Sequence, residues 1–252
     1  MLCVNIADRF ILGNMNKKGY KMRNDGRKNN ELRPIKFTKD FTKNALGSVL
    51  VEFGDTRVIT TASVDMKQPK WMDKEATQGW VTAEYSLLPS STSTRCERER
   101  TKISGRTQEI QRLIGRSLRA CVDMEKLPKM TITIDADVIQ ADGGTRTASI
   151  CGGFMALKIA VQKLLEQGLL DENPIKEEIA AISVGIIDDE VRLDLCYEED
   201  SRAQVDSNVV MTKSGKIIEF QTTAEGEPYN QEQLMEIFNM AKSGIDTIIK
   251  MY

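Results

Sequence analysis

Residues 131–147 read Thr-Ile-Thr-Ile-Asp-Ala-Asp-Val-Ile-Gln-Ala-Asp-Gly-Gly-Thr-Arg-Thr, and this stretch organises the predicted fold. Apolar residues alternate with polar ones from Thr131 to Val138, which is the period-two pattern of a half-buried strand. Two glycines then permit a tight turn, and an apolar helical segment follows from about Thr145 to Gln167, ended by Gly168. The stretch therefore predicts a strand, a turn and a long helix in immediate succession.

The segments on either side repeat this combination of strands and helices. The predicted strands lie at 49–53, 57–64, 80–85, 131–138, 180–187, 191–197, 209–212 and 217–223. The predicted helices include 110–122, 145–167 and 231–250, the last of which starts with a capping box of Asn230 and Gln233. We therefore predict an α+β fold of two related βαβα-like halves, with mixed sheets packed against helices. No Pro/Gly/Ser-rich linker separates the halves, so residues 22–252 are predicted to form one domain after a flexible or wrongly assigned N-terminal extension at 1–21.

The chain of 252 residues contains no histidine. Ser-His-Asp triads, Cys-His dyads, histidine general bases and histidine-ligated zinc sites are thereby excluded. Chemistry must then use carboxylates, arginine, lysine, hydroxyl groups, backbone amides or a hard metal ion bound through oxygen. Five dispersed cysteines without a CxxC motif favour reduced thiols and a cytoplasmic location. No uninterrupted apolar run is long enough to cross a membrane, and we expect no membrane partner.

Charge is distributed unevenly along the chain, although the formal net charge is only −2. Acidic residues dominate 188–206, whereas basic residues dominate 95–119. The basic residues are Arg95, Arg98, Arg100, Lys102, Arg106, Arg112, Arg116 and Arg119. An arginine-rich segment of this density suits a phosphate backbone, because each guanidinium can bind a phosphate through two hydrogen bonds. The alternative is a solvent-exposed helix face with charges paired at i,i+4.

The segment Gln140–Thr147 is a candidate phosphate site. Where a helix begins directly after a glycine turn, free backbone N–H groups and the positive end of the helix dipole point the same way. Thr145 adds a hydroxyl group there, and Arg146 adds a bidentate cation. The pattern is neither a P-loop nor a dinucleotide fingerprint, because the GK[ST] and GxGxxG spacings are missing. The alternative is an ordinary strand-to-helix connection with a threonine cap.

Asp200 and Asp206 form a third candidate element, after the predicted strand that ends at Tyr197. Two carboxylates brought together across a loop can hold Mg²⁺ or Mn²⁺. Like charges at close range also raise each other's pKa, which helps one of them to act as an acid. The alternative is a pair of acidic loop residues in water. Together, the basic segment, the anion-binding turn and the paired carboxylates are the components that phosphoryl transfer without histidine requires.

Six stretches of this sequence resemble the ribonuclease PH family, from about residue 23 to the C-terminus. They are Arg23–Arg27, Gly47–Thr56, Thr82–Tyr85, Gly105–Ile114, Gln140–Thr147 and Thr223–Pro228. The resemblance implies a phosphate-dependent 3′-to-5′ exoribonuclease that trims tRNA precursors, releases nucleoside diphosphates and adds nucleotides in the reverse direction. It also implies an RNA rather than a DNA partner, a divalent metal, inorganic phosphate as co-substrate, and a homohexameric ring of dimers. The physiological RNA stays open among tRNA, ribosomal RNA and decay fragments.

The same resemblance implies roles for individual residues. Those matching catalytic groups are Arg106, Arg146, Asp200 and Asp206, of which the two aspartates are associated with the metal. Those matching phosphate-binding groups are Arg106, Gly144, Thr145 and Arg146. Those matching basic residues of the RNA-facing loop are Arg95 and Arg98.

Three positions depart from the family pattern. Ser90 follows Pro89 where the family usually has arginine, the loop 99–105 is short, and Ser207 replaces the usual methionine. These departures concern RNA affinity and substrate range more than the chemistry. Two rival functions therefore remain, a hydrolytic metal nuclease and a non-catalytic RNA-binding ring subunit.

Overall fold

Two β-sheets packed with α-helices make up residues 23–252, the part of the chain that the computed structural model describes. The predicted extension at 1–21 and its boundary at residue 22 lie outside these residues. The four helices of the described part are α1 (Gly105–Ala120), α2 (Thr145–Glu166), α3 (Tyr197–Asp200) and α4 (Gln231–Ile249). The predicted α+β fold class is confirmed.

The first sheet combines antiparallel strands with one parallel pair. Its strands are β1 (Ile35–Lys39), β2 (Gly47–Phe53), β3 (Thr56–Asp65), β4 (Trp80–Leu87) and β5 (Thr131–Gln140), in the spatial order β1-β2-β3-β5-β4. Strands β4 and β5 run parallel and are connected through α1. Their C-terminal ends therefore lie at the same edge of the sheet, where Leu87 pairs with Val138.

The second sheet is antiparallel throughout. Its strands are β6 (Ile179–Ile187), β7 (Glu190–Leu193), β8 (Val205–Thr212) and β9 (Ile217–Ala224), in the order β7-β6-β8-β9. Helix α4 packs against this sheet, and its predicted capping box is present, with Asn230 accepting from the Gln233 amide at 2.9 Å.

Helix α2 contacts both sheets and lies at the centre of one continuous hydrophobic core. By length and composition alone α2 could cross a membrane, but most of it is buried inside the protein, as expected for a core helix. Gly168, at φ +69°, follows its last turn as predicted. The ring of Phe154 on α2 packs against Tyr252, whose hydroxyl donates to the Ile179 carbonyl at 3.0 Å.

One strand was not predicted, and two predicted strand boundaries were wrong. Strand β1 was missed, because a five-residue edge strand that contains Lys36 and Lys39 carries little apolar signal. Strand β7 ends at Leu193 rather than 197, because Asp194 adopts φ +54° and the chain turns into α3. Strand β8 begins at Val205 rather than 209, so Asp206 lies in a strand and not in a loop.

Replacing Gly47 by alanine is expected to lower the free energy of unfolding by about 2 kcal/mol or more. A methyl group on Gly47 would overlap the carbonyl oxygen of Ala156, where β2 crosses α2. Gly226→Ala is the matched control, since a methyl group there meets nothing within 4 Å, and it should change stability by at most about 0.5 kcal/mol. Urea unfolding of both variants tests this packing, and equal midpoints would contradict it.

Candidate active site

The turn between β5 and α2 is tightly constrained. Gly143 and Gly144 both adopt left-handed backbone, at φ +72° and +64°. A methyl group on Gly143 would lie 2.5 Å from the carbonyl oxygen of Leu195, so the turn requires glycine there for space as well as conformation. The hydroxyl of Thr56 accepts from the Asp142 amide at 2.9 Å and donates to the Gly143 carbonyl at 2.6 Å. Residues 142–145, called the phosphate turn below, therefore have a fixed backbone.

The N-terminus of α2 is open. Its N-cap residue is Gly144, which has no side chain to cap the helix, and no other capping side chain is found among residues 23–252. The threonine-cap alternative is not observed: the Thr145 hydroxyl lies 2.9 Å from the hydroxyl of Tyr85, and the Thr147 hydroxyl donates to the Gly144 carbonyl. The unpaired amides and the helix dipole together leave an anion-binding position above the turn.

Two arginines lie in the first turns of two helices. Arg146 follows Thr145 in α2, is 15% exposed, and donates to Gln221 of β9 at 3.1 Å and to Glu109 of α1 at 3.4 Å. Arg106 lies in the first turn of α1, which Ser104 caps by accepting from the Thr107 amide. Burial raises the pKa of Tyr85, whereas the charges of Arg106 and Arg146 oppose that rise. Both arginines thus lie near enough to act electrostatically on the Tyr85 hydroxyl that contacts Thr145, although Arg106 itself is exposed.

The two predicted aspartates lie together beside these arginines. Asp200 ends α3, and Asp206 is the second residue of β8. Burial raises the pKa of Asp200, and the positive charges of Arg146, Arg106 and Arg33 oppose it. Burial and the neighbouring Asp200 raise the pKa of Asp206 to about 6, although Arg146 again opposes the rise. The sequence-predicted arginines and aspartates therefore form one site, in which Arg146 acts electrostatically on both carboxylates.

The carboxylate pair suits a hard divalent cation. Asp206 Oδ1 is buried and has no hydrogen-bond partner among residues 23–252, so it is an oxygen available for coordination. Across that same range, no three or more Asp, Glu or Cys side chains converge on a metal position. Mg²⁺ is commonly bound by one or two carboxylates together with water and substrate phosphates, and this donor set fits that mode.

Arg95 and Arg98 lie beside the site rather than in it. Both are exposed on the segment between β4 and α1. The charge of Arg98 opposes the burial that raises the pKa of Asp137 on β5. Arg98 also lines a cleft of ≈ 350 Å³ that Tyr85 and Glu99 border. Arg98 thus lies near Tyr85, whose hydroxyl contacts Thr145, and Arg95 lies on the same segment, open to solvent.

Sequence reasoning missed several residues that build the site. Arg33 is buried, pairs with Asp194 at 2.7 Å, and donates to the backbone carbonyl of Asp142. Arg23 binds Glu199, the neighbour of Asp200, through two hydrogen bonds of 2.8 and 2.7 Å. Part of the acidic segment 188–206 is therefore paired with N-terminal arginines instead of facing a ligand. No local pattern indicates these pairs, although Arg23 lies within one of the motifs that carry the family resemblance.

The two-sheet α+β scaffold thus places two helix-borne arginines near two aspartates, Asp200 and Asp206. This chain belongs to the 3′ exoribonuclease family: the model of the family's domain 1 matches residues 31–162, and that of its domain 2 matches residues 177–244. The first match covers the first sheet with α1 and most of α2, and the second covers the second sheet with most of α4. The family predicted from the motifs is confirmed, and its two-domain fold corresponds to the two halves.

Solved structures share this fold. Rice (Oryza sativa) Rrp46 superimposes with a TM-score of 0.73 at 21% identity, covering 90% of this chain and 95% of that one. A chain of the Archaeoglobus fulgidus exosome with RNA bound to the active site superimposes with a TM-score of 0.76 at 19% identity, covering 90% and 91%. At these identities the likeness establishes the fold.

Proposed function

We propose that this protein is a phosphate-dependent 3′-to-5′ exoribonuclease that trims the 3′ ends of tRNA precursors and releases nucleoside diphosphates. The observation that carries the proposal is the placement of Arg146, in the first turn of the open-ended helix α2, near the half-buried carboxylates of Asp200 and Asp206, with Arg106 also near Asp200. Membership of the 3′ exoribonuclease family supports the same reaction class.

Inorganic phosphate is the proposed nucleophile. Arg146 and Arg106 neutralise its charge, the Gly144 amide donates to it, and Thr145 can accept from Tyr85 while donating its own hydrogen to a phosphate oxygen. Burial raises the pKa of Tyr85 and so keeps its hydroxyl protonated, as this arrangement requires. The turn thus binds an anion in one orientation before reaction.

In the chemical step, a phosphate oxygen attacks the last phosphodiester of the RNA in line. The new O–P bond forms as the bond to the 3′-oxygen of the preceding nucleotide breaks, and the terminal nucleotide leaves as a diphosphate. Asp200, whose pKa burial raises, assists proton transfer to the leaving 3′-oxygen. Asp200 and Asp206 would hold a divalent cation, Mg²⁺ or Mn²⁺, which would supply charge neutralisation at the scissile phosphate when bound.

RNA binding and assembly are part of the proposal. The exposed Arg95 and Arg98 would contact the RNA backbone, and the fold shared with a chain of an RNA-bound exosome supports an RNA substrate. We also propose a homohexameric ring of dimers and a cytoplasmic location.

A non-catalytic RNA-binding ring subunit is the second candidate. The residue after Pro89, where the family usually has arginine, is here an exposed serine, Ser90. The loss of one cationic contact would weaken RNA binding without altering the phosphate turn or the aspartates.

Labelled tRNA with a 3′ extension, incubated with Mg²⁺ and with or without inorganic phosphate, tests the function. We expect shortening only when phosphate is present, with nucleoside diphosphates as products and with Asp200→Asn inactive. Nucleoside monophosphates formed in phosphate-free buffer would instead identify a hydrolytic nuclease. Retention of the RNA without shortening under either condition would identify the non-catalytic subunit.

A further inference from the structure

The helix that carries Asp200 cannot maintain its own position. Helix α3 is a single turn of four residues, and isolated helices this short are not stable in water. The position of the Asp200 carboxylate therefore depends on what anchors α3 to the rest of the protein.

Asp142 anchors the start of α3. Its carboxylate oxygen Oδ1 accepts from the backbone amide of Tyr197, the first residue of α3, at 3.1 Å. Its backbone belongs to the phosphate turn, where Thr56 binds its amide and Arg33 binds its carbonyl. Asp142 thus links two parts of the site. Its main chain belongs to the phosphate turn, and its side chain binds the helix that carries Asp200.

A second contact fixes the other face of α3. Glu199 is 4% exposed, and its two carboxylate oxygens accept from Nε and Nη2 of Arg23. Arg23 also donates to the carbonyls of Leu193 and Asp194, at the end of β7. This contact ties α3 to the second sheet. Among residues 23–252, the side chain of Asp142 provides the only side-chain hydrogen bond between α3 and the phosphate turn.

We propose that Asp142 is a positioning residue that sets the distance between Asp200 and the anion bound at the phosphate turn. Its catalytic consequence rests on the proposed function, whereas the coupling itself is a property of the fold. Without the Asp142 carboxylate, the turn loses its 3.8 Å ion pair with Arg33 but keeps its hydrogen bonds to Thr56 and Arg33, because these involve main-chain atoms. Helix α3 loses its side-chain hydrogen bond to the turn and keeps only the close packing of Gly143 against the backbone of residues 195–197 among the contacts found in residues 23–252.

Asp142→Ala is therefore expected to slow turnover while leaving phosphate binding nearly unchanged. The KM for phosphate should change by less than about threefold, while kcat falls by about tenfold to a hundredfold, as for a misplaced catalytic group. Asp142→Asn keeps an oxygen that can accept from the Tyr197 amide, so it should restore kcat to within about threefold of the wild type. Asp142→Glu, which keeps the charge but moves the acceptor, should fall between the two.

Hydrogen exchange followed by mass spectrometry provides a readout that does not require activity. Peptides covering residues 196–202 should exchange at least about tenfold faster in Asp142→Ala, but not in Asp142→Asn. Asp123→Ala is the matched control, because Asp123 likewise caps a single helical turn, at Met124–Lys126, through its side chain. It should leave the 196–202 peptides and kcat unchanged.

The outcomes separate the two proposals. Unchanged exchange at 196–202 in Asp142→Ala would overturn the positioning role, and so would a phosphate KM that rises as much as kcat falls. If Asp142→Ala does not fold, the comparison of Asp142→Glu with Asp142→Asn decides the same question. Absence of phosphorolysis in the wild type would refute the proposed function, while the exchange experiment would still decide the coupling.

Discussion

Arg146→Ala is expected to reduce phosphorolysis at low phosphate by about a hundredfold to a thousandfold, the usual cost of removing one preorganised oxyanion contact. Arg146 is mostly buried in the first turn of α2, between the open helix N-terminus and both aspartates. Its guanidinium is held by Gln221 and Glu109 in the absence of substrate, so little ordering is needed when phosphate arrives. Initial rates measured over a range of phosphate concentrations test this expectation.

Three further variants test whether the loss is specific to the arginines at the phosphate turn. Arg146→Lys keeps the charge but loses the planar fork, so it should recover only part of the rate. Arg116→Ala removes an arginine of α1 that is 57% exposed and pairs with Glu219 of β9 at 3.2 Å, and it should leave the rate unchanged. Arg106→Ala should show the same kind of loss as Arg146→Ala. Full activity of either variant at low phosphate would contradict the assignment.

Asp206→Asn is expected to move activity and stability in opposite directions. Activity should fall by about a hundredfold, because the metal loses a carboxylate and the Asp200 pair is broken. In metal-free buffer at pH 7.5, however, the free energy of unfolding should rise by about 2 kcal/mol, because the variant no longer buries a charge. Burial and Asp200 raise the pKa of Asp206 to about 6, so the native state favours its neutral form.

The pH dependence fixes the sign of this effect. A carboxyl group whose pKa is raised on folding contributes stability below its unfolded value of 3.8, and that contribution is lost as the pH rises through about 6. The stability gain of Asp206→Asn should therefore be about a third of its full size at pH 4.5 and reach its full size above pH 7. Urea unfolding with EDTA measures it, with the exposed Asp171→Asn as control. A gain that does not depend on pH would show that the charge of Asp206 is not its cause.

Much of this architecture could be predicted from short-range patterns. The alternation in β5, the glycine pair and the apolar run of α2 locate the turn, because each depends on residues close in sequence. The arginine at position 146 follows directly from that placement. The sequence identified the two aspartates as candidates but did not predict their secondary structure. Asp206 lies in β8 beside Thr223 of β9, and Asp200 lies on a helical turn.

What could not be predicted is the pairing of buried charges. Arg23 and Glu199 are separated by 176 positions, and Arg33 and Asp194 by 161. Periodicity indicates which residues are buried apolar groups, but it does not indicate which buried arginine finds which carboxylate. The apolar pattern of β1 was also too weak to predict a strand, because β1 is an edge strand that contains lysines.

The pairing of Arg23 with Glu199 also affects the order in which the protein can acquire its structure. Ribosomes add about 5–20 residues per second, so Arg23 emerges roughly ten to forty seconds before its partner. Until then the N-terminal arginines have no buried carboxylate, and the phosphate turn has no Asp200 beside it. A nascent chain that ends near residue 162 can complete the first sheet, but we expect it to be inert toward RNA 3′ ends. The complete site would arise only after translation has passed the second sheet.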